Sequence, residues 1–226
     1  NHLIYADDTV LIAPSPCALQ MLIDCCVDYA KENEILFNAK KSKLMCIKSH
    51  RYKDLSIPDI SINDIPLTLV DSNQYLGVFI SSDFRDDMDI QREIRSLYAR
   101  GNMIIRYYRH CSSNVKTALF KTFCCNMYCG FLWNNYYGYR LKQLKLAFNN
   151  IYRHLMNLKN VRTSLSPVSI SGSMVENQVN SFDIIMRHYI LNFKSRLQNS
   201  TNAIIQCLVN SIFHISSNMY VKWNES

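Results

Sequence analysis

The sequence predicts an α+β chain: short strands around a single helix, then a long basic stretch that is helical almost throughout. Three observations carry this. Before residue 80 the apolar runs are short and bounded by turn residues; after residue 85 apolar residues recur at helical spacing. The charge also divides there: residues 1–80 hold seven Lys/Arg against ten Asp/Glu, a net −3, and residues 81–226 hold eighteen against eight, a net +10. With 226 residues, 48% of them hydrophobic, the chain is long enough for one large domain or two small ones with real cores. Five Gly, five Pro and 12% aromatic residues argue against a disordered, collagenous or low-complexity chain. No apolar run approaches the roughly 18–20 residues of a bilayer crossing, so no membrane partner is expected.

The elements follow in order. His2–Tyr5 and Thr9–Ala13 are apolar runs around a tight Ala6-Asp7-Asp8 connection, which reads as a β-hairpin. The chain is strand-like from its first residues, with no basic leader or cleavage site before them, and reads as cut from something longer. Ser15-Pro16 is an N-cap followed by proline at the first helical position, and Leu19, Leu22, Ile23, Cys26 and Ala30 keep helical spacing to about Asn33. Strands are expected at Lys43–Lys48, Ser61–Asn63, Leu67–Val70 and Gln74–Ile80, with Asn63-Asp64 as turn chemistry. In 89–110, Ile90, Ile94, Leu97, Gly101, Ile104, Ile105 and Tyr108 share one helical face, and Arg92, Arg95, Arg106 and Arg109 form an adjacent stripe. Ser112 or Ser113 caps a second helix through Val115, Leu119, Phe123 and Met127. A third runs through Leu141, Leu144, Phe148, Ile151, Leu155 and Leu158, and a fourth through Val179, Phe182, Met186, Tyr189, Phe193 and Leu197. Ser164–Ser173, containing Pro167 and Gly172, is the expected loop.

Nine cysteines form neither a C-x2-C pair nor a zinc-type run, so they read as reduced thiols of an intracellular protein, most of them small core residues. From Ile94 to Val175 there is no acidic residue, against twelve Lys/Arg. So long a stretch of one sign wants an anionic partner, and nucleic acid is the obvious one; a merely basic surface or an acidic protein partner is the alternative. Trp133 and Tyr136-Tyr137 either stack on bases or fill the core. His110, His154 and His188 lie among apolar helical residues and carry no ligand role.

The acidic turn Tyr5-Ala6-Asp7-Asp8 is the candidate site. Two adjacent carboxylates at the end of apolar strands repel each other, and a hard divalent cation such as Mg²⁺ relieves that repulsion; the alternative is a plain Asp-rich turn. The segment resembles the Tyr-x-Asp-Asp hairpin, motif C, of reverse transcriptases. Phe37-Asn38-Ala39-Lys40-Lys41-Ser42-Lys43 is similar to the Phe-Asn-x-x-Lys-Ser pattern of motif D, and Tyr75-Leu76-Gly77 to the Tyr-Leu-Gly of motif E, the primer grip. The three stand in the family's order, with a helix between the first two. Ala after Tyr brings the wording nearest to non-LTR (LINE-type) retrotransposon reverse transcriptases. The likeness continues more loosely through Asp86-Asp87-Met88-Asp89-Ile90 and Tyr98-Ala99-Arg100-Gly101-Asn102, which resemble the start of the thumb.

The resemblance implies the C-terminal part of a polymerase palm in residues 1–82, an all-α basic thumb in 83–165 and a helical C-terminal extension in 166–226. It implies Asp7 as a metal-coordinating carboxylate, Asp8 as its companion, and two Mg²⁺ for nucleotidyl transfer. Tyr5 and Ala6 would shape the primer-terminus pocket, and Tyr75, Leu76 and Gly77 would hold the primer backbone. Lys41 would stand near the incoming triphosphate; its choice over Lys40 or Lys43 rests on the motif alone. Arg92, Arg95, Arg106 and Arg109 would grip the phosphates of an RNA–DNA hybrid. The implied partners are RNA template, DNA primer and deoxynucleoside triphosphates, in the nucleus. The family's motif A aspartate and fingers lie upstream of motif C and have no counterpart here, so the segment alone is expected to be inactive. The rival expectation is a non-catalytic, nucleic-acid-binding remnant of a retrotransposon; a weaker one is a basic helical scaffold unrelated to polymerases.

Overall fold

The computed structural model describes residues 2–47, 57–133, 138–158, 169–217 and 220–221, and of Phe213 the backbone only. The chain is a mixed α+β one, and it divides into two compact units, Asn1–Phe84 and Arg85–Ser226. Among the described residues no helix is long and apolar enough to cross a membrane.

In the first unit β1 (His2–Tyr5) pairs antiparallel with β2 (Asp8–Leu11), His2 opposite Leu11 and Tyr5 opposite Asp8. Helix α1 (Pro16–Glu32) starts where Ser15 Oγ accepts from the Ala18 N–H, with Pro16 behind the cap where its missing N–H costs nothing. Its inner stripe, Ile23, Val27 and Ala30, is buried. Ile23 and Val27 join Ala39, Leu44, Ile60 and Ile62 in the unit's core, and Leu11 and Leu19 pack at its margin. The Gln20 amide donates to Ser61 O and accepts from Ser61 N–H, both at 3.0 Å, fixing the register of α1 against β4 (Ser61–Ile62).

The remaining strands are shorter and differently paired than the sequence suggests. The short strands of a palm are expected to pair antiparallel; β3 (Lys43–Leu44) and β6 (Thr68–Leu69) instead form a parallel ladder, which corrects that expectation for this pair. β4 turns into β5 (Ile65–Pro66) through Asn63 and Asp64, with φ of 48° and 63°, two residue types that tolerate the left-handed region. The expected single strand Gln74–Ile80 is instead a hairpin, β7 (Ser72–Tyr75) with β8 (Val78–Ser81). Leu76 and Gly77, with φ of 47° and 80°, make the reversal that apolar periodicity alone does not show.

The second unit is helical: α2 (Asp87–Tyr107), α3 (Ser113–Phe123), a short 3-10 turn at Gly130–Leu132, α4 (Tyr139–Leu155), α5 (Ile170–Glu176), α6 (Phe182–Gln198), α7 (Ala203–Val209) and α8 (Ile212–Ile215). α2 and α4 run side by side in the same direction. Arg140 near the start of α4 bonds Gln91 and lies 3.9 Å from Asp87 at the start of α2. Further along, Gly101 meets Ile151: a Cβ on Gly101 would lie 2.5 Å from Ile151 Cγ2, so the absent side chain sets the spacing of the two helices. Leu97, Ile104, Phe120, Leu144, Phe148 and Tyr152 form the centre of the core. Phe148 and Tyr152 pack their rings around Phe120 at 5.0 and 5.1 Å. The Tyr152 hydroxyl bonds the Ser173 carbonyl, seating α5. Tyr189 accepts from Met127 N–H and donates to Cys125 O, seating α6.

Three further expectations are corrected. α3 buries Lys116, Thr117 and Phe120 rather than Val115 and Phe123, which are exposed, and it ends at Phe123 before Met127. Gly172, expected in a loop, lies inside α5, because Met174 is drawn into the core and tertiary burial outweighs a glycine's poor helix propensity; Pro167 lies outside the described residues. Of the nine cysteines only Cys124 is buried; Cys17, Cys25 and Cys207 are exposed, and the other five are intermediate.

Candidate functional site

The acidic motif is a two-residue reversal. Tyr5 and Asp8 face each other as the last pair of the β1–β2 ladder, leaving Ala6 and Asp7 as the turn. Ala6 takes φ 53°, a conformation that costs a residue with a Cβ roughly 1–2 kcal/mol. Tyr5, Ala6, Asp7 and Asp8 are all exposed. Asp7 and Asp8 supply the hard oxygen donors that a divalent cation takes. Among the described residues no group of three Asp, Glu, His or Cys side chains comes together to hold a metal.

The lysine segment is a turn of another kind. Asn38 O accepts from the N–H groups of Lys41 and Ser42, Asn38 Oδ1 accepts from the Lys41 N–H as well, and Ser42 Oγ donates to Asn38 O. Asn and Ser at these positions are what close the loop. Ala39 is buried and anchors the turn, while Lys40 and Lys41 are exposed and β3 begins at Lys43. The Tyr75-Leu76-Gly77 segment is the β7–β8 reversal, with Leu76 38% exposed. All three segments with polymerase-like wording thus lie on tight turns of the first unit.

The arginine stripe of the second unit divides in two. Arg92 is turned inward: Nε and Nη2 donate to both oxygens of Asp89, at 2.8 and 3.3 Å, Nη1 donates to Glu93 Oε2 at 3.1 Å, and Nη2 also reaches Tyr128 O. Glu93 is closed from the other side by Arg100 Nη2 at 2.6 Å, and Trp133 Nε1 donates to Asp89 at 2.8 Å. Asp89 is 1% and Glu93 0% exposed. Burial works against the Arg92 charge, but hydrogen bonds and attraction from Asp89, then Glu93, outweigh it and raise its pKa. Arg92 is therefore a half-buried structural cation and leaves the candidate phosphate-binding set. Arg95, Arg106 and Arg109 are exposed and make no ion pair among the described residues. Arg106 lies over the Tyr107 ring, 5.7 Å from its centroid.

Compared with models of protein families, with curated proteins and with solved structures, the chain matches none.

Trp133, read as stacking surface or core, is core, 1% exposed; Tyr136 and Tyr137 lie outside the described residues. The apolar pattern of the sequence does not single out Asp89 and Glu93 as a network, although it carries the signal. Two carboxylates four residues apart stand next to Ile90, Ile94 and Leu97, inside the apolar period of α2, where acids need partners.

Proposed function

We propose that this chain is the palm-and-thumb part of a non-LTR reverse transcriptase, from the catalytic hairpin onward, acting in nucleotidyl transfer to a primer on an RNA template. The observation that carries the reading is the β1–β2 hairpin: two carboxylates on a tight reversal between apolar strands, followed in order by the Asn38-closed lysine turn and the Tyr75-Leu76-Gly77 reversal. Asp7 and Asp8 fit a divalent cation by donor chemistry, hard, anionic and exposed. On the reverse-transcriptase reading, a carboxylate of the upstream palm would complete the centre. Bound there, two Mg²⁺ ions would activate the primer hydroxyl and neutralise the triphosphate.

The chain's own residues do the rest. Asp7 and Asp8 would hold the cations. Lys41, projecting from a rigid turn, carries positive charge toward a triphosphate, and Leu76 and Gly77 bring backbone close to the primer strand. Arg95, Arg106 and Arg109 contact phosphates along the hybrid. The test is primer extension by a longer protein that contains this segment and its upstream palm. Asp7→Asn should abolish extension while leaving hybrid affinity within about twofold, since it removes a ligand and leaves the basic surface intact. Undiminished extension refutes the assignment. One observation favours the rival, a non-catalytic nucleic-acid-binding remnant: the hairpin has only two of the carboxylates that the chemistry needs. Hybrid binding without extension by the longer protein would establish that rival instead.

A further inference from the structure

Where α2 and α4 end side by side, Ile105, Arg109, His154, Leu155 and Asn157 enclose an open pocket of about 190 Å³. Its position follows from the helix pair already described: one turn beyond the Gly101–Ile151 contact come Ile105 and Leu155, which form the apolar wall, and beyond them the polar residues. The geometry points to a phosphate-binding pocket, with the Arg109 guanidinium, the His154 imidazole and the Asn157 amide as its donors.

Helix C-termini ordinarily repel anions, because their last carbonyls are unpaired and the macrodipole is negative there. At the end of α4 three of those carbonyls, of Tyr152, Arg153 and His154, are occupied. Asn157 takes φ 53°, so that its own N–H reaches His154 O and the Leu158 N–H reaches Arg153 O, while Met156 N–H bonds Tyr152 O. At the end of α2, Tyr108 N–H bonds Ile104 O. What the pocket presents is then side-chain donors. None of the five residues that line the pocket is a carboxylate. Arg supplies a forked pair of N–H groups that matches phosphate oxygens, and His has a ring N–H in either protonation state.

Size narrows the ligand. Sites for drug-sized molecules run to about 300–1,000 Å³, so this pocket takes one group rather than a whole metabolite. A phosphate with its first sugar carbon against Ile105 and Leu155 suits both the polar and the apolar wall. On the reverse-transcriptase reading, on which this identification of the phosphate rests, that group is a backbone phosphate of the hybrid. His154 then joins Arg109 as a contact.

The test has two arms. First, sodium phosphate is titrated into the full chain at constant ionic strength, followed by amide NMR shifts. Saturating shifts confined to residues 105–109 and 154–157 are expected, with the apparent Kd raised about tenfold or more by Arg109→Gln and several-fold by His154→Gln, as loss of a charge-assisted or a neutral hydrogen bond implies. Asn157→Gly keeps the left-handed turn that a glycine adopts freely and should still weaken binding. Shifts that never saturate, that spread over all basic residues, or that ignore Arg109→Gln overturn the pocket, leaving its cations as partners of the helix ends only. Second, anisotropy of a labelled RNA–DNA hybrid should show Arg109→Gln lowering the salt slope by about one. Phosphate binding with unchanged hybrid affinity upholds the pocket, for a phosphorylated small molecule, and counts against the thumb reading.

Discussion

Arg92→Ala and Arg95→Ala lie one helical turn apart on the same helix, and the structure gives them opposite expected outcomes. Arg92 makes four hydrogen bonds to Asp89, Glu93 and the Tyr128 carbonyl, and its side chain is 20% exposed. Removing one partner of a buried ion pair costs about 3–5 kcal/mol, because the remaining charge is left without compensation. Here Asp89 keeps Trp133 and Glu93 keeps Arg100, and the guanidinium is partly solvated, so the cost for Arg92→Ala falls to about 2–4 kcal/mol. With a urea m-value of about 2 kcal/mol/M, that lowers the unfolding midpoint by about 1–2 M. Arg95→Ala should stay within about 0.5 kcal/mol of the parent, as an exposed substitution does, and should instead weaken hybrid binding and lower its salt slope by about one. Urea melts and salt-dependent anisotropy on both variants decide the matter. An unshifted midpoint for Arg92→Ala, with hybrid binding lost as in Arg95→Ala, refutes the internal assignment. The pH dependence follows from the sign. The folded Arg92 pKa lies above its unfolded value, so this stabilisation is complete below the unfolded value and is lost only in strong alkali, as the pH climbs through the folded one.

Other expectations follow from the packing. Gly101→Ala should destabilise the wild type, since about 1–3 kcal/mol of overpacking against Ile151 outweighs the roughly 1 kcal/mol gained in helix propensity; in an Ile151→Ala background the sign reverses, as urea melts will show. Burial pushes the Cys124 thiol up to about 11 and Cys125 to about 12. At pH 8 a thiol reagent should therefore modify exposed Cys17, Cys25 and Cys207 within the time that Cys124 and Cys125 stay intact. Because both folded values exceed the unfolded ones, the stability held in these thiols is full below about pH 9 and declines as the pH rises toward 12. Leu76→Asn creates the Asn-Gly pair that a reversal with both φ positive favours and should stabilise the first unit by about 0.5–1 kcal/mol; on the primer-grip reading the same variant raises the Michaelis constant for primer in the longer enzyme.

Helices whose apolar residues repeat cleanly were legible in the sequence. The sequence predicts the third helix through Leu141, Leu144, Phe148, Ile151, Leu155 and Leu158; the first five are buried on α4, and Leu158 lies past its end, partly buried against the same core. Ser15-Pro16 marked the start of α1 because cap chemistry is local. Where tertiary packing decides, the reading failed. α3 is short and carries apolar residues on more than one side, so only contact with Phe148 and Tyr152 selects Phe120 as its inward residue. Two-residue strands such as β3 leave almost no periodicity to read, and their pairing with β6 depends on residues far apart in sequence. For the site, the hairpin at Ala6-Asp7-Asp8 was visible because its turn is made by adjacent residues, whereas the Asn38 turn was not predicted and the segment stood out only by its resemblance to motif D. Arg92 was misplaced because helical spacing puts it beside Arg95, while its partners Tyr128 and Trp133 come from a distant segment. The His154 pocket was hidden for the same reason: it exists only where two helices end at one level.

Titration of the full chain with Mn²⁺, a paramagnetic stand-in for Mg²⁺, followed by amide line broadening, tests most directly whether the acidic reversal grips a cation. The account predicts broadening confined to residues 5–9, reversed by excess Mg²⁺ and abolished by Asp7→Asn with Asp8→Asn. Broadening centred on the acidic residues of another segment, or unchanged in that double variant, would contradict it.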